Sequence, residues 1–253
     1  MAGQRNKAEE EEEEYKMKII EKNENQIAFE ATMEDSLANA IRRYVNHVPI
    51  LAVDEIHISK NDSPLYDETV AHRVGLIPLK MEKSKKEAKL KLSVNKSGMV
   101  YSGEMKGDIK PVYDNIPITY IDKEQEMEFE ATVKSGIGSE HSKFSPGMIY
   151  YRNVVEITMD KDLKELVRNA CPNAEIKEKG SKITVVDNGR KEVVDICERI
   201  GSESGKGAEV EMKNDLVITI ESFGQISPEE IFKKSIEELE KDLEIVSKKV
   251  DKE

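Results

Sequence analysis

The strongest constraint on how this chain can fold lies at its C-terminal end. Ser227 and Glu230 form an S-x-x-E capping box with Pro228 at the first helical position. Phe232, Ile236, Leu239, Leu243, Val246 and Val250 then recur at spacings of 4, 3, 4, 3 and 4, a heptad seam along one long helix. Glu229 with Lys233, Glu237 with Lys241 and Glu244 with Lys248 are i,i+4 pairs that support an exposed outer face. Burying each apolar side chain of the seam is worth roughly 1.5–3 kcal/mol before entropy is subtracted, so the helix docks. Its dock is either the chain's own core or a partner subunit, and periodicity leaves both open.

A second helix is bounded at both ends. Leu37, Ile41, Tyr44, Val45 and Val48 fall within about 100° of arc, opposite Asn39, Arg42, Arg43 and Asn46. Thr32 and Asp35 resemble a capping box ahead of it, and Pro49 stops it. One side packs, while the other is free to grip a partner, to pair with an acidic neighbour in the same chain, or to stay solvated.

At 253 residues the chain can bury a core without disulfide or metal staples. Its formal net charge is -12, and the run Glu9 to Glu14 supplies half of that. The remaining body is still acidic and has no Lys/Arg stripe, which argues against direct DNA binding. Two cysteines without a CxxC fit a reducing cytoplasm, and no apolar stretch approaches a membrane span. Residues 1–14 read as a disordered acidic tail.

Ile27, Phe29 and Ala31 alternate as a half-buried strand leading into the bounded helix, and a second strand runs from about Leu51 to Ile58. Asn61 to Pro64 reads as a turn and Thr69 to Val74 as a short helix closed by Gly75. Leu90, Leu92 and Val94 alternate, Asn95 to Gly98 turns the chain, and Met99 to Tyr101 starts back, which predicts a hairpin. Met127, Phe129, Ala131 and Val133 mark another strand, and Tyr150 to Met159 a further one. Residues 160–214 form a small α/β block: a helix on Leu163, Leu166, Val167 and Ala170, strands near Ile176 and at Ile183 to Val186, and a helix at Val193 to Ile200. A Gly/Ser loop from Gly201 to Gly207 follows, and Leu216, Ile218 and Ile220 return the chain to a strand. The class is α+β.

Catalytic chemistry is poorly supplied. The sequence has no Walker loop, HExxH, GxSxG or Cys/His cluster at metal spacing. Gly136-Ile137-Gly138 is too short for a nucleotide loop, and the four histidines are scattered.

Three motifs carry a resemblance. Leu37-Ala38-Asn39-Ala40-Ile41-Arg42-Arg43, Ala71-His72-Arg73-Val74-Gly75-Leu76-Ile77-Pro78-Leu79 and Gly138-Ser139-Glu140-His141-Ser142-Lys143-Phe144-Ser145-Pro146 closely resemble the D-type subunits of archaeal DNA-directed RNA polymerase, relatives of the bacterial alpha subunit and the eukaryotic third-largest polymerase subunit. The similarity runs from about Tyr15 to Val250. It implies a split dimerisation domain at 15–55 and 215–253, a β-rich insert domain at 56–159 and a ferredoxin-like insert at 160–214.

The resemblance also implies a noncatalytic assembly platform in the cytoplasm, with the enzyme activity belonging to the complex. The heptad seam from Phe232 to Val250 would pack against the smaller alpha-like partner, the L subunit, as a heterodimer. Asn39, Arg42 and Arg43 would help dock the large catalytic subunits, an arginine fork offering several fixed donors. The small N and P subunits are further implied partners, with DNA reached only through the complex. Some relatives hold an iron-sulfur cluster in the ferredoxin-like insert, which needs about four thiolates; Cys171 and Cys197 cannot supply them, so no cluster is expected. No zinc is expected either, because Lys80 to Lys91 contains neither Cys nor His. The rival readings are a self-associating coiled-coil adaptor and a redox or metal protein built on the insert.

Overall fold

The computed structural model describes residues 17–81, 87–172, 174–187 and 191–250. The acidic run Glu9 to Glu14, expected to be a disordered tail, lies outside them. The described residues group into two units, one holding 17–22, 27–35 and 151–219, the other 23–26, 36–150 and 220–250. The class is α+β, as expected, and strands predominate among the described residues.

The first unit is built on a six-stranded sheet. Its strands are β1 (Met17–Lys22), β2 (Gln26–Thr32), β9 (Gly147–Asp160), β10 (Glu175–Lys179), β11 (Lys182–Val186) and β12 (Glu209–Ser222), hydrogen-bonded in the order β1-β2-β12-β9-β11-β10. Helices α3 (Lys164–Ala170) and α4 (Lys191–Glu203) belong to the same unit. β1 has no counterpart among the sequence expectations: it pairs antiparallel with β2 as an edge strand, and its Met17 and Ile19 are exposed, so it shows no buried alternation to read. In β2 the alternation is clean, with Ile27, Phe29 and Ala31 buried. Ile157, Met159, Val167, Ile183, Val185, Val193 and Cys197 form one apolar cluster. Leu166, placed by periodicity on the packed side of α3, is exposed. α4 runs on to Glu203, so Gly201 and Ser202 are helical rather than part of the loop.

In the second unit a four-stranded sheet runs β3-β8-β4-β6, with β3 at Ile50–Asn61, β4 at Glu87–Val94, β6 at Lys106–Gly107 and β8 at Met127–Gly136. A two-stranded ribbon pairs β5 (Gly98–Tyr101) with β7 (Pro117–Ile121). The helices are α1 (Asp35–Tyr44), α2 (Asp67–Gly75) and α5 (Pro228–Val250). Leu90, Leu92, Phe129 and Val133 are buried in one cluster with Val70, Val74, Ile118 and Ile121.

The expected hairpin at 90–101 is not made. β4 pairs with β8 over Glu87 to Val94, and β5 leaves for β7. The long register with β8 sets Lys91 opposite Glu130, which form an ion pair, and stacks Leu90 and Leu92 beside Ala131 and Phe129. That is more cross-strand contact than a four-residue return strand offers. Gly75 does not act as a left-handed cap: it is the last residue of α2, and Leu76 caps the helix in right-handed conformation.

Candidate subunit interfaces

α1 ends at Tyr44 and continues as a 3₁₀ turn, Val45–His47, before Val48 turns extended ahead of Pro49. Its buried ridge is Ala38, Ile41, Val45 and Val48. Leu37, expected on that ridge, is 45% exposed; the smaller Ala38 takes the place, one residue round the helix. The Thr32–Asp35 capping box is absent, since the helix starts at Asp35 itself and the Thr32 hydroxyl donates to Asp215 at 2.6 Å.

Asn39, Arg42 and Arg43 stand exposed on the other side of α1. Arg42 donates from Nε and Nη2 to Asn39 Oδ1 at 3.2 and 2.9 Å, which fixes the plane of its guanidinium. Among the described residues neither arginine has a carboxylate within ion-pair distance. Among those residues the internal pairing that the sequence left open is therefore not made, and both side chains are exposed.

α5 starts as the capping signal requires: Ser227 Oγ accepts from the Glu230 amide at 3.2 Å. The Glu230 carboxylate reaches Lys234 at 3.0 Å rather than back to the cap. Glu244 and Lys248 pair at 3.1 Å as expected, whereas Lys233 reaches Glu237 and Lys241 reaches Glu238.

The helix carries two distinct faces. Pro228, Ile231 and Ser235 are buried within the chain, and at 100° per residue Asp242 falls on the same arc. The heptad seam is centred roughly 75° away. Along it Phe232, Ile236 and Leu239 are half-buried, while Leu243, Val246 and Val250 are 58%, 57% and 69% exposed. Every residue from Glu240 to Val250 is exposed. The chain thus packs α5 on a face other than the seam and leaves the outer half of the seam open.

Tyr44 ties the two helices together. Its hydroxyl donates to Asp242 Oδ2 at 2.9 Å, and its ring stacks on His47 with centroids 4.7 Å apart. That hydrogen bond, with the carboxylate charge behind it, raises the Tyr44 pKa.

The third motif lies against the end of the first. Ser139 N–H donates to Asn46 O at 2.9 Å, Ser145 Oγ donates to Asn46 Oδ1 at 3.3 Å, and a side chain at Gly138 would strike Asn46. The motif loop is anchored on β3 by Asp54, the extra residue of a β-bulge between Val53 and Glu55. Asp54 accepts from Lys143 Nζ at 2.8 Å and from Lys134 Nζ at 3.0 Å, and these two ammonium groups hold its carboxyl below the usual range. No local pattern marks Asp54 or Tyr44 for these roles. Their partners lie far away in the chain, and only the fold brings them together.

Cys171 and Cys197 are both buried in the apolar cluster of the first unit. Burial pushes the Cys171 thiol up, and burial with the neighbouring Cys171 charge pushes Cys197 to about 11. Among the described residues no group of three or more His, Cys, Asp or Glu side chains is arranged to hold a metal ion. Likewise, no helix is long and apolar enough to cross a membrane.

Residues 55–150, which include the second and third motifs, match the model of the RNA polymerase Rpb3/RpoA insert domain. The chain is 34% identical to the DNA-directed RNA polymerase subunit Rpo3 of Thermococcus kodakarensis, covering 85% of this chain and 89% of the relative. To the Rpo3 subunit of Pyrococcus furiosus it is 33% identical, over the same shares. To that of Pyrococcus horikoshii it is 37% identical, over 58% and 63%. An exposed cationic face on one helix and an exposed apolar seam on another suit a subunit of a larger assembly, and the relatives say which assembly: the chain belongs to the Rpo3 family, the alpha-like subunits of archaeal DNA-directed RNA polymerase.

Proposed function

We propose that this chain is the noncatalytic assembly platform of its polymerase, pairing with the L subunit through α5 and then docking the large catalytic subunits. The observation that carries the reading is the open outer half of the α5 seam, where Leu243, Val246 and Val250 stand in solvent on a helix the chain otherwise packs. Apolar area there supplies affinity for L, with Phe232, Ile236 and Leu239 continuing the seam inward. The exposed Arg42 and Arg43, beside Asn39, supply orientation for the large subunits, since guanidinium groups fix geometry against carboxylates or carbonyls. The small N and P subunits belong to the same assembly, which works in the cytoplasm and brings the chain to DNA only indirectly.

The domain reading forms part of the proposal: a dimerisation domain split between 15–55 and 215–253, a β-rich insert at 56–159 and a ferredoxin-like insert at 160–214. The element order β9-α3-β10-β11-α4-β12, with strands arranged β12-β9-β11-β10, supports the ferredoxin-like insert. Two thiols do not fit a cubane that takes about four, so we propose that the insert holds no cluster and the chain no zinc. The adaptor and metal-protein readings find no support among the relatives.

The test is co-purification of the tagged chain from native lysate beside a Leu239→Glu, Leu243→Glu double variant, with bound proteins identified by mass spectrometry. The wild type is expected to bring down L and the large subunits and the variant to lose them. Equal capture by both would move the L contact off α5.

A further inference from the structure

Asn39 and Arg42 stand three residues apart on α1, a spacing that sets two side chains on one face of a helix. The carboxamide oxygen of Asn39 accepts from both Nε and Nη2 of Arg42, at 3.2 and 2.9 Å. Those two donors form one edge of the planar guanidinium. The other edge, made by Nη1 and the second N–H of Nη2, points off the end of the side chain with its two N–H groups parallel. Among the described residues it donates to nothing.

Asparagine holds the group without cancelling it. An aspartate at position 39 would take the same two N–H groups and form an ion pair, whereas a carboxamide takes them and leaves the cation whole. Both arginines lie in the last turn of α1, where the helix dipole favours positive charge. On a chain of net charge -12 they make an exposed cationic face, which draws in an anionic group.

Two parallel donors in a fixed plane are the complement of the two oxygens of a carboxylate, while a peptide carbonyl offers only one. We propose that Asn39 is a positioning residue, which holds Arg42 with its terminal edge outward, and that this edge receives a carboxylate of a large catalytic subunit as a bidentate pair. The contact rests on the assembly reading and narrows it. Of the carboxylates and carbonyls which that reading allows, Arg42 takes a carboxylate, and Asn39 supplies the aim.

The test expresses tagged Asn39→Ala, Asn39→Asp and Arg42→Lys forms of the full chain in the native host, and compares the amounts of large subunits and L in each preparation by quantitative mass spectrometry. Positions 39 and 42 are exposed, and L, seated on α5, is expected to stay bound throughout. Asn39→Ala releases Arg42 and should lower recovery of the large subunits about fivefold, because one long side chain then has to be ordered on binding. Asn39→Asp keeps the aim but cancels the charge and faces the incoming carboxylate with another, and should lower recovery about tenfold. In the Arg42→Lys lysate a water-soluble carbodiimide, added before any wash, joins the new amine to a touching carboxylate as an amide, the displaced oxygen leaving in the urea. The expected product links position 42 to one aspartate or glutamate of a large subunit.

Full recovery with Asn39→Ala removes the positioning role, and full recovery with Asn39→Asp removes the carboxylate, since a carbonyl does not need the whole charge. Either result overturns the proposal while the large subunits still co-purify with the unsubstituted chain. So does a position 42 that couples to L alone or to no other subunit. If the unsubstituted chain recovers L but no large subunit, the docking reading fails and this contact with it.

Discussion

The Tyr44 hydroxyl and the Asp242 carboxylate, 198 residues apart in sequence, meet at 2.9 Å and join the helix that carries Arg42 and Arg43 to the helix that carries the heptad seam. Asp242 stands on the side of α5 that the chain itself packs, among the exposed residues Glu240 to Val250. Tyr44→Phe is expected to lower stability by about 0.5–1 kcal/mol, the worth of one hydrogen bond, measured by urea unfolding. The Tyr44 pKa is raised above its ordinary 10.0. The bond's contribution is therefore complete below pH 10 and lost as pH rises through the folded value. The variant's unfolding curve should lack that alkaline loss.

Asp54 has the opposite sign. Lys143 and Lys134 hold its carboxyl below the ordinary 3.8. The stability it contributes is present above pH 4 and disappears as pH falls through the depressed value. In Asp54→Asn that acid-dependent loss should vanish, and amide exchange should rise across residues 138–146, because Lys143 no longer has a carboxylate to hold. Unchanged exchange in the loop would mean that the Asn46 contacts suffice to fix it.

Glu178 behaves in the same way in the first unit, where Lys161 and Lys164 both reach it and lower its pKa to about 2. Glu178→Gln should remove an acid-sensitive step between about pH 4 and pH 2 in the unfolding of that unit, read by near-ultraviolet circular dichroism or by tyrosine fluorescence.

The two faces of α5 predict two different kinds of variant. Leu243→Glu with Val246→Glu changes only exposed positions and should leave the melting temperature of the isolated chain within about 2 °C, while abolishing binding of L in size-exclusion chromatography. Ile231→Ala, at a fully buried position, should cost about 2–5 kcal/mol and leave the seam intact.

Gly147 stands where β9 begins, and a side chain there would come within 2.1 Å of Glu221 O. Gly147→Ala therefore has to push two backbones apart, and a loss of about 1–3 kcal/mol is expected from thermal unfolding.

The parts of this molecule that announce themselves in sequence are those whose signal is local. Ser227, Pro228 and the 4-3 spacing locate α5, and the alternation of Met127, Phe129, Ala131 and Val133 locates β8, because cap chemistry and pleat both act within a few residues. The same locality misleads at Asn95 to Gly98: the turn is real, but whether two strands joined by a turn pair with each other depends on what else is offered, and β8 outcompetes β5 for β4. β1 is unreadable because an exposed edge strand owes its existence to its neighbour's hydrogen bonds rather than to its own pattern. Leu37 and Ala38 show the remaining ambiguity, one residue being about 100° of helix. Of the interface residues, identity is legible and state is not. The sequence offers Arg42 and Arg43 without saying whether a carboxylate of the same chain neutralises them.

The bulge at Asp54 has a consequence for how the chain could be shortened. Val53 pairs with Val133 and Glu55 with Thr132, so the ladder on either side of Asp54 steps along β8 without a gap. Excising that one residue would leave Ile56 opposite Ala131 and Ile58 opposite Phe129, with inside and outside preserved along the rest of the strand. Asp54 is thus a passenger in the ladder and a tether for the loop, and a chain lacking it would keep its wall while losing its guy-rope.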